Sequence, residues 1–146
     1  MNLAVMDGLA EMAGNYDLFI FDLWGVVHNG VSTYPGATDC MKHLRRRGSR
    51  VVLLSNAPRP SSSVAAHLVE LGVAASLYDW LLTSGEATAN AISSRDPLPA
   101  FFHLGPERSR PTLKACGGRE VSMEDAELIL CTGLFDDETE QAEDYG

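Results

Sequence analysis

Four polar positions stand where apolar runs of strand length stop: Asp22, the pair Ser55-Asn56, the pair Thr83-Ser84, and Gly105. Taken singly, each has an ordinary structural reading. Asp22 can accept bonds from the amides of its own turn, and Ser55, Asn56 and Ser84 can cap helices. Brought to one edge, an acid, a hydroxyl and an amide make a site for phosphate and metal. A carboxylate can attack phosphorus and form an acyl phosphate, provided that a cation relieves the repulsion between the approaching negative groups. Mg²⁺ suits that task, since it takes hard oxygen ligands and retains several waters. A hydroxyl and exposed amides would then hold the remaining phosphate oxygens.

The elements that must bring these positions together are legible as a repeat of strands and helices. Residues 17–22, 50–55, 78–83, 100–104 and 127–132 are short apolar runs. Between the first two, Pro35-Gly36-Ala37 opens a segment with Ala37, Cys40, Met41 and Leu44 at helical spacing. Arg45-Arg46-Arg47-Gly48 closes it in the way that favours a helix end. Val64, Leu68 and Leu71 share one face of a second helix that stops at Gly72, and Thr83-Ser84-Gly85-Glu86 has the T-x-x-E spacing of a capping box. Asp96-Pro97-Leu98-Pro99 breaks the chain before the fourth run. Strands separated by helices of this length call for parallel pairing, because parallel neighbours need a long crossover. The expected fold is α/β, a doubly wound parallel sheet, in which ligands bind at the carboxyl ends of the strands.

Composition bounds the partners. The chain has 146 residues, 45% of them hydrophobic, enough for a real core. Its net charge of -9 is localised. Residues 1–119 hold all 11 Lys and Arg against 10 acids, whereas residues 120–146 hold the other 10 acids and no base. That end is unsuited to nucleic acid, and the Arg triplet is read as helix-end decoration. No apolar stretch reaches membrane-spanning length and the N-terminus does not read as a leader, so a cytoplasmic protein is expected. Cys40, Cys116 and Cys131 have neither disulfide nor zinc spacing and are expected to be free, buried thiols.

The segments "DLWGVVHNG" (22–30), "YPGA" (34–37), "LLSNAPRP" (53–60) and "LLTSGEA" (81–87), in this order and spacing, resemble the haloacid dehalogenase superfamily. More narrowly they resemble its class with a large α/β cap between the second and third motifs, the branch of nitrophenyl and pyridoxal phosphate phosphatases. The resemblance implies a Rossmann-like core and a Mg²⁺-dependent hydrolysis of a small phosphorylated metabolite. Asp22 would be the nucleophile and a metal ligand, position 24 would offer a backbone carbonyl to the metal, and Gly25 would allow the turn. Ser55 would bind the phosphoryl group, with Asn56 beside it.

Two departures from the family pattern follow. Phosphatases of the superfamily usually carry a second Asp where this chain has Trp24, and indole has no proton equilibrium near neutral pH. His28 is the nearby titratable group, read as structural or solvated rather than catalytic. The third-motif lysine and the fourth-motif acidic pair are also unmatched. Lys114 is out of place for the first and is read as a surface residue. Asp136-Asp137 is out of order for the second and is read as a solvated or helix-starting run. Residues 1–135 are therefore expected to form a partial core and residues 136–146 an acidic tail where the absent cap would begin. Turnover is expected to be impaired or lost, and the apolar edge at residues 17–22 to invite self-association. The competing readings are a non-catalytic phosphate-binding or interaction module and, more weakly, a phosphorylated receiver domain. A receiver is disfavoured because the candidate acceptor lies on the first strand.

Overall fold

The structure, a computed structural model, describes residues 7–136 and 139–145. In chain order these form β1 (Leu18–Asp22), α1 (Ala37–Arg46), β2 (Arg50–Ser55), α2 (Ser61–Glu70), β3 (Trp80–Thr83), α3 (Ser84–Ser93), β4 (Ala100–Leu104), α4 (Arg110–Cys116), β5 (Arg119–Glu120) and β6 (Leu128–Cys131). The expected α/β order with parallel strands is present. The strands, however, are divided between two three-stranded sheets, with orders β1-β2-β3 and β5-β4-β6. Two compact units result, Met1–Ser55 with Ala65–Leu82, and Asn56–Val64 with Thr83–Gly146. No helix among the described residues is long and apolar enough to cross a membrane.

In the first unit β2 lies between β1 and β3. It runs parallel to β1 in a register that sets Leu18 beside Arg50, Ile20 beside Val52 and Asp22 beside Leu54. Side chains alternate across a sheet, and the consequence is sharp here. Phe19, Val51 and Leu53 are buried, as are Met41 and Leu44 of α1 and Leu68 of α2; each such side chain stabilises the fold by about 1.5–3 kcal/mol. The Arg45-Arg46-Arg47-Gly48 segment closes α1, with the Gly48 N–H donating to Arg45 O at 2.9 Å. Arg45 also pairs with Asp79 at 2.5 Å, and Asp79 accepts the Val51 N–H at 2.8 Å. The guanidinium, together with that amide, holds the Asp79 carboxyl below its ordinary range. At least one of the three arginines is thus a structural tie between α1 and β2.

The opposite face is bare. Ile20 is 61% exposed and Trp80 52%, and Leu18, Leu54 and Leu82 are exposed with them; Arg50 lies over the Trp80 ring at 5.4 Å. Parallel sheets are ordinarily covered on both faces, and β1 stands at an edge of this sheet. An apolar face joined to an open edge promotes association. Sedimentation at tens of micromolar protein is expected to show oligomers for the chain and monomer for Ile20→Lys/Leu82→Lys. A monomeric wild-type chain would count against this reading of the face.

In the second unit β4 pairs in parallel with both β5 and β6. Its core is Ala89 and Ile92 of α3, Phe101 of β4, Leu113 and Cys116 of α4 and Leu130 of β6. The three cysteines are free, but only Cys116 is buried. Burial pushes its thiol pKa up. The expectation of buried thiols fails for Cys131, because alternation along β6 buries Leu130 and turns Cys131 outward.

Candidate active site

Asp22 is the last residue of β1 and Ser55 the last of β2. Asp22 is level with Leu54 in the parallel register, so Ser55 stands one residue beyond it on the adjoining strand. The first unit therefore places an exposed carboxylate and a partly exposed hydroxyl at the carboxyl ends of neighbouring strands, where open α/β sheets bind ligands. Asn56 follows Ser55 directly and is exposed.

The loop after Asp22 is held by its own bonds. Leu23 O accepts the N–H groups of Val27 at 2.8 Å and His28 at 3.0 Å, and the Gly25 N–H donates to His28 O at 2.8 Å. Leu23 and Val27 are buried and anchor the loop, while Gly25 turns the chain at φ 84°, a conformation that glycine adopts without penalty. The bridge between Trp24 and His28 uses the carbonyl of Leu23 and the N–H of Gly25, so it does not consume the Trp24 carbonyl. The Trp24 side chain is 67% exposed, with its indole nitrogen beside Gly30. It is not a core contact.

His28 is buried. Its Nδ1 accepts the Gly30 N–H at 2.9 Å, which puts the proton of the neutral ring on Nε2. The ring meets His67 edge to face at 6.0 Å. Of the two expectations for His28, the structure supports the structural one.

In the second unit the segment after Ser55 is clamped through four successive carbonyls. Ser84 Oγ donates to Asn56 O at 2.8 Å and to Ala57 O at 2.9 Å. Thr112 Oγ1 donates to Pro58 O at 2.7 Å and Thr83 Oγ1 to Arg59 O at 2.6 Å. The capping box is only half made. Thr83 accepts the Glu86 N–H at 3.1 Å, but the Glu86 carboxylate accepts the Ser61 N–H at 3.1 Å instead of returning to Thr83. Gly85 lets the two backbones touch, since a Cβ there would lie 2.6 Å from Arg59 N and 2.7 Å from Arg59 O and Pro58 C. The sequence reading missed this role for Thr83-Ser84-Gly85-Glu86; a glycine inside the first turn of a helix was the available signal. Replacing Gly85 by Ala is expected to destabilise the fold by about 1–3 kcal/mol, read as a lower urea midpoint. An unchanged midpoint would contradict the close approach.

Among the described residues no group of three or more His, Cys, Asp or Glu is arranged to hold a metal. The hard oxygen donors closest in sequence to this strand end are the Asp22 carboxylate and the Trp24 carbonyl. Donors of that type are the kind Mg²⁺ takes, since it commonly uses one or two carboxylates and keeps waters for the rest. Lys114 is exposed on α4, as expected. Asp136 and Phe135 donate their N–H groups to Glu140 at 3.1 and 3.0 Å. Tyr145 also donates to that carboxylate, which pushes its phenol up to about 12. Asp137 lies outside the described residues.

Comparison with known proteins gives a consistent result. A family model described as haloacid dehalogenase-like hydrolase matches residues 19–119. A 4-nitrophenylphosphatase of Schizosaccharomyces pombe is 30% identical over 122 residues, which is 81% of this chain and 41% of that protein. The crystal structure of a haloacid dehalogenase-like hydrolase from Brucella suis superposes with a TM-score of 0.83 at 36% identity, covering 97% of this chain and 54% of that one. A glycerol phosphate phosphatase from Mycobacterium tuberculosis, solved in complex with magnesium, superposes with a TM-score of 0.63 at 30% identity, covering 84% and 38%. The chain thus spans roughly two fifths of the curated relative and half of the first solved structure.

Proposed function

The chain belongs to the haloacid dehalogenase-like hydrolase family, and from that premise we propose that it carries the nucleophile of a Mg²⁺-dependent phosphohydrolase acting on small phosphorylated metabolites. The observation that carries the proposal is the juxtaposition of Asp22 and Ser55 at the carboxyl ends of paired parallel strands. Two of these relatives are phosphatases by name, and one of the two was solved in complex with magnesium.

In this reading an Asp22 oxygen attacks phosphorus in line with the ester bond, that bond breaks, and Asp22 becomes an aspartyl phosphate that water then hydrolyses. The Ser55 hydroxyl and Asn56 hold phosphoryl oxygens in the attack geometry. Mg²⁺, held by the Asp22 carboxylate and the Trp24 carbonyl, would neutralise charge between nucleophile and phosphate. Trp24 cannot protonate the departing oxygen, and His28 is buried with its Nδ1 bonded to the Gly30 N–H. The leaving group is thus protonated by solvent, and turnover is impaired in both half-reactions. Stable leaving anions such as 4-nitrophenolate are favoured over alkoxides. Removal of Mg²⁺ by a chelator is expected to abolish 4-nitrophenyl phosphate hydrolysis, and its return to restore it. Hydrolysis that continues undiminished in the chelator would overturn the metal assignment.

Trp24 also favours one second reading, a module that binds phosphate without turning it over. It predicts saturable phosphate binding at Asp22 and Ser55 with hydrolysis no faster than in buffer.

A further inference from the structure

Asn56, the neighbour of Ser55 in the proposed site, has no regular secondary structure to orient it. Residues 56–60 belong to neither strand nor helix, and Pro58 and Pro60 bring no N–H with which the segment could bond itself. Its backbone is held from the carbonyl side instead, by residues of the second unit. Ser84 Oγ stands 2.8 Å from Asn56 O and 2.9 Å from Ala57 O, and the Gly85 N–H donates to Ala57 O at 3.1 Å. A trans peptide is planar, so holding Asn56 O fixes the plane that joins Asn56 to Ala57.

Ser84 differs from the other hydroxyls of the clamp in what its bonds are worth. Thr83 and Thr112, which hold Arg59 O and Pro58 O, are each 1% exposed. A carbonyl that loses its partner in such a place is left unpaired, at a cost to the fold. Ser84 and Asn56 are both exposed, so water can replace that hydroxyl at little cost. What water cannot supply is direction. The serine itself is firmly mounted: on one side Thr83 caps α3 through the Glu86 N–H at 3.1 Å, and on the other Gly85 packs so closely on Pro58 and Arg59 that a Cβ would lie 2.6 Å from Arg59 N. A hydroxyl held this way and directed at exposed carbonyls orients the chain more than it stabilises it.

We propose that Ser84 is a positioning residue for the phosphoryl-binding segment, its hydroxyl turning the Asn56 backbone to the orientation in which Ser55 and Asn56 hold the phosphoryl oxygens. Ser84 does not itself touch the substrate. The role rests on the assignment of Ser55 and Asn56 as the groups that bind phosphate beside Asp22. Loosening such a segment weakens the hold on substrate and transition state alike, which raises KM. Loss of folded protein, by contrast, lowers the apparent kcat and leaves KM where it was.

The test compares Ser84→Ala, Ser84→Thr and Thr112→Val in the whole chain by three readouts: KM for 4-nitrophenyl phosphate with Mg²⁺, calorimetric affinity for inorganic phosphate with Mg²⁺, and the urea midpoint. Ser84→Ala is expected to raise KM and weaken phosphate binding, each about tenfold, with little change in the midpoint. Ser84→Thr, which keeps the hydroxyl, should restore both to within about twofold. Thr112→Val removes the bond to Pro58 O and should show the reverse pattern, a lower midpoint with KM and phosphate affinity unchanged. Wild-type KM and phosphate affinity in Ser84→Ala, or a fall in its apparent kcat alone that follows a lowered midpoint, would overturn the positioning role. The assignment of Asp22 would survive either result, because Asp22→Asn would still abolish hydrolysis. A wild-type chain that neither binds phosphate nor turns over 4-nitrophenyl phosphate would overturn the phosphohydrolase reading, and the role of Ser84 with it.

Discussion

Asp22→Asn is expected to lower Mg²⁺-dependent hydrolysis of 4-nitrophenyl phosphate by roughly 10⁴ to 10⁶-fold, the scale on which removing a covalent nucleophile acts. The amide is nearly isosteric, and Asp22 is exposed at a strand end, so the fold should not change and the thermal midpoint reports that control. The substitution removes both the nucleophile and one of the two oxygen donors offered to the metal. Those two losses separate in the assay: a metal defect alone is recovered by raising Mg²⁺, and the absence of a nucleophile is not. Hydrolysis by Asp22→Asn within tenfold of wild type would eliminate the assignment.

Trp24→Asp is expected to act in the other direction and raise turnover by about 10² to 10⁴-fold, the usual worth of general acid-base catalysis. The position suits the exchange. Trp24 is 67% exposed, so removing the indole leaves no cavity, and its neighbours Leu23 and Val27 hold the loop by their own burial. The carbonyl offered to the metal belongs to the backbone and survives the substitution. The gain should be larger for alkyl phosphates than for 4-nitrophenyl phosphate, since a poor leaving group depends more on protonation. A variant no faster than wild type on both substrates would show that position 24 does not face the reaction. If wild-type hydrolysis is absent as well, the binding reading takes precedence.

Much of the architecture was legible because the signals are local. Five strands fall on the five apolar runs, and α1 ends at its Arg triplet and Gly48. β5 was missed because Arg119 and Glu120 are both exposed, and two exposed residues carry no apolar pattern. β3 starts at Trp80 rather than residue 78, because the Asp79 carboxylate is drawn off to Arg45 and the Val51 N–H. The division into two sheets was also out of reach, since periodicity says which face of a strand is buried but not which strand it pairs with.

The candidate site divides in the same way. Asp22 and Ser55 could be named because polar residues ending apolar runs stand at the sheet's carboxyl edge. Whether His28 was buried or solvated depended on the Gly30 N–H, a bond set by loop geometry that spacing does not encode.

The central claim is that phosphate passes through Asp22, and slow release caused by Trp24 should make the intermediate abundant. The direct measurement is to quench the chain with acid during turnover of 4-nitrophenyl phosphate and Mg²⁺, digest it, and weigh the peptide containing Asp22 before and after hydroxylamine. The account predicts one added phosphoryl group on that peptide, removed by hydroxylamine and absent in Asp22→Asn. Release of 4-nitrophenolate with that peptide unmodified would contradict it.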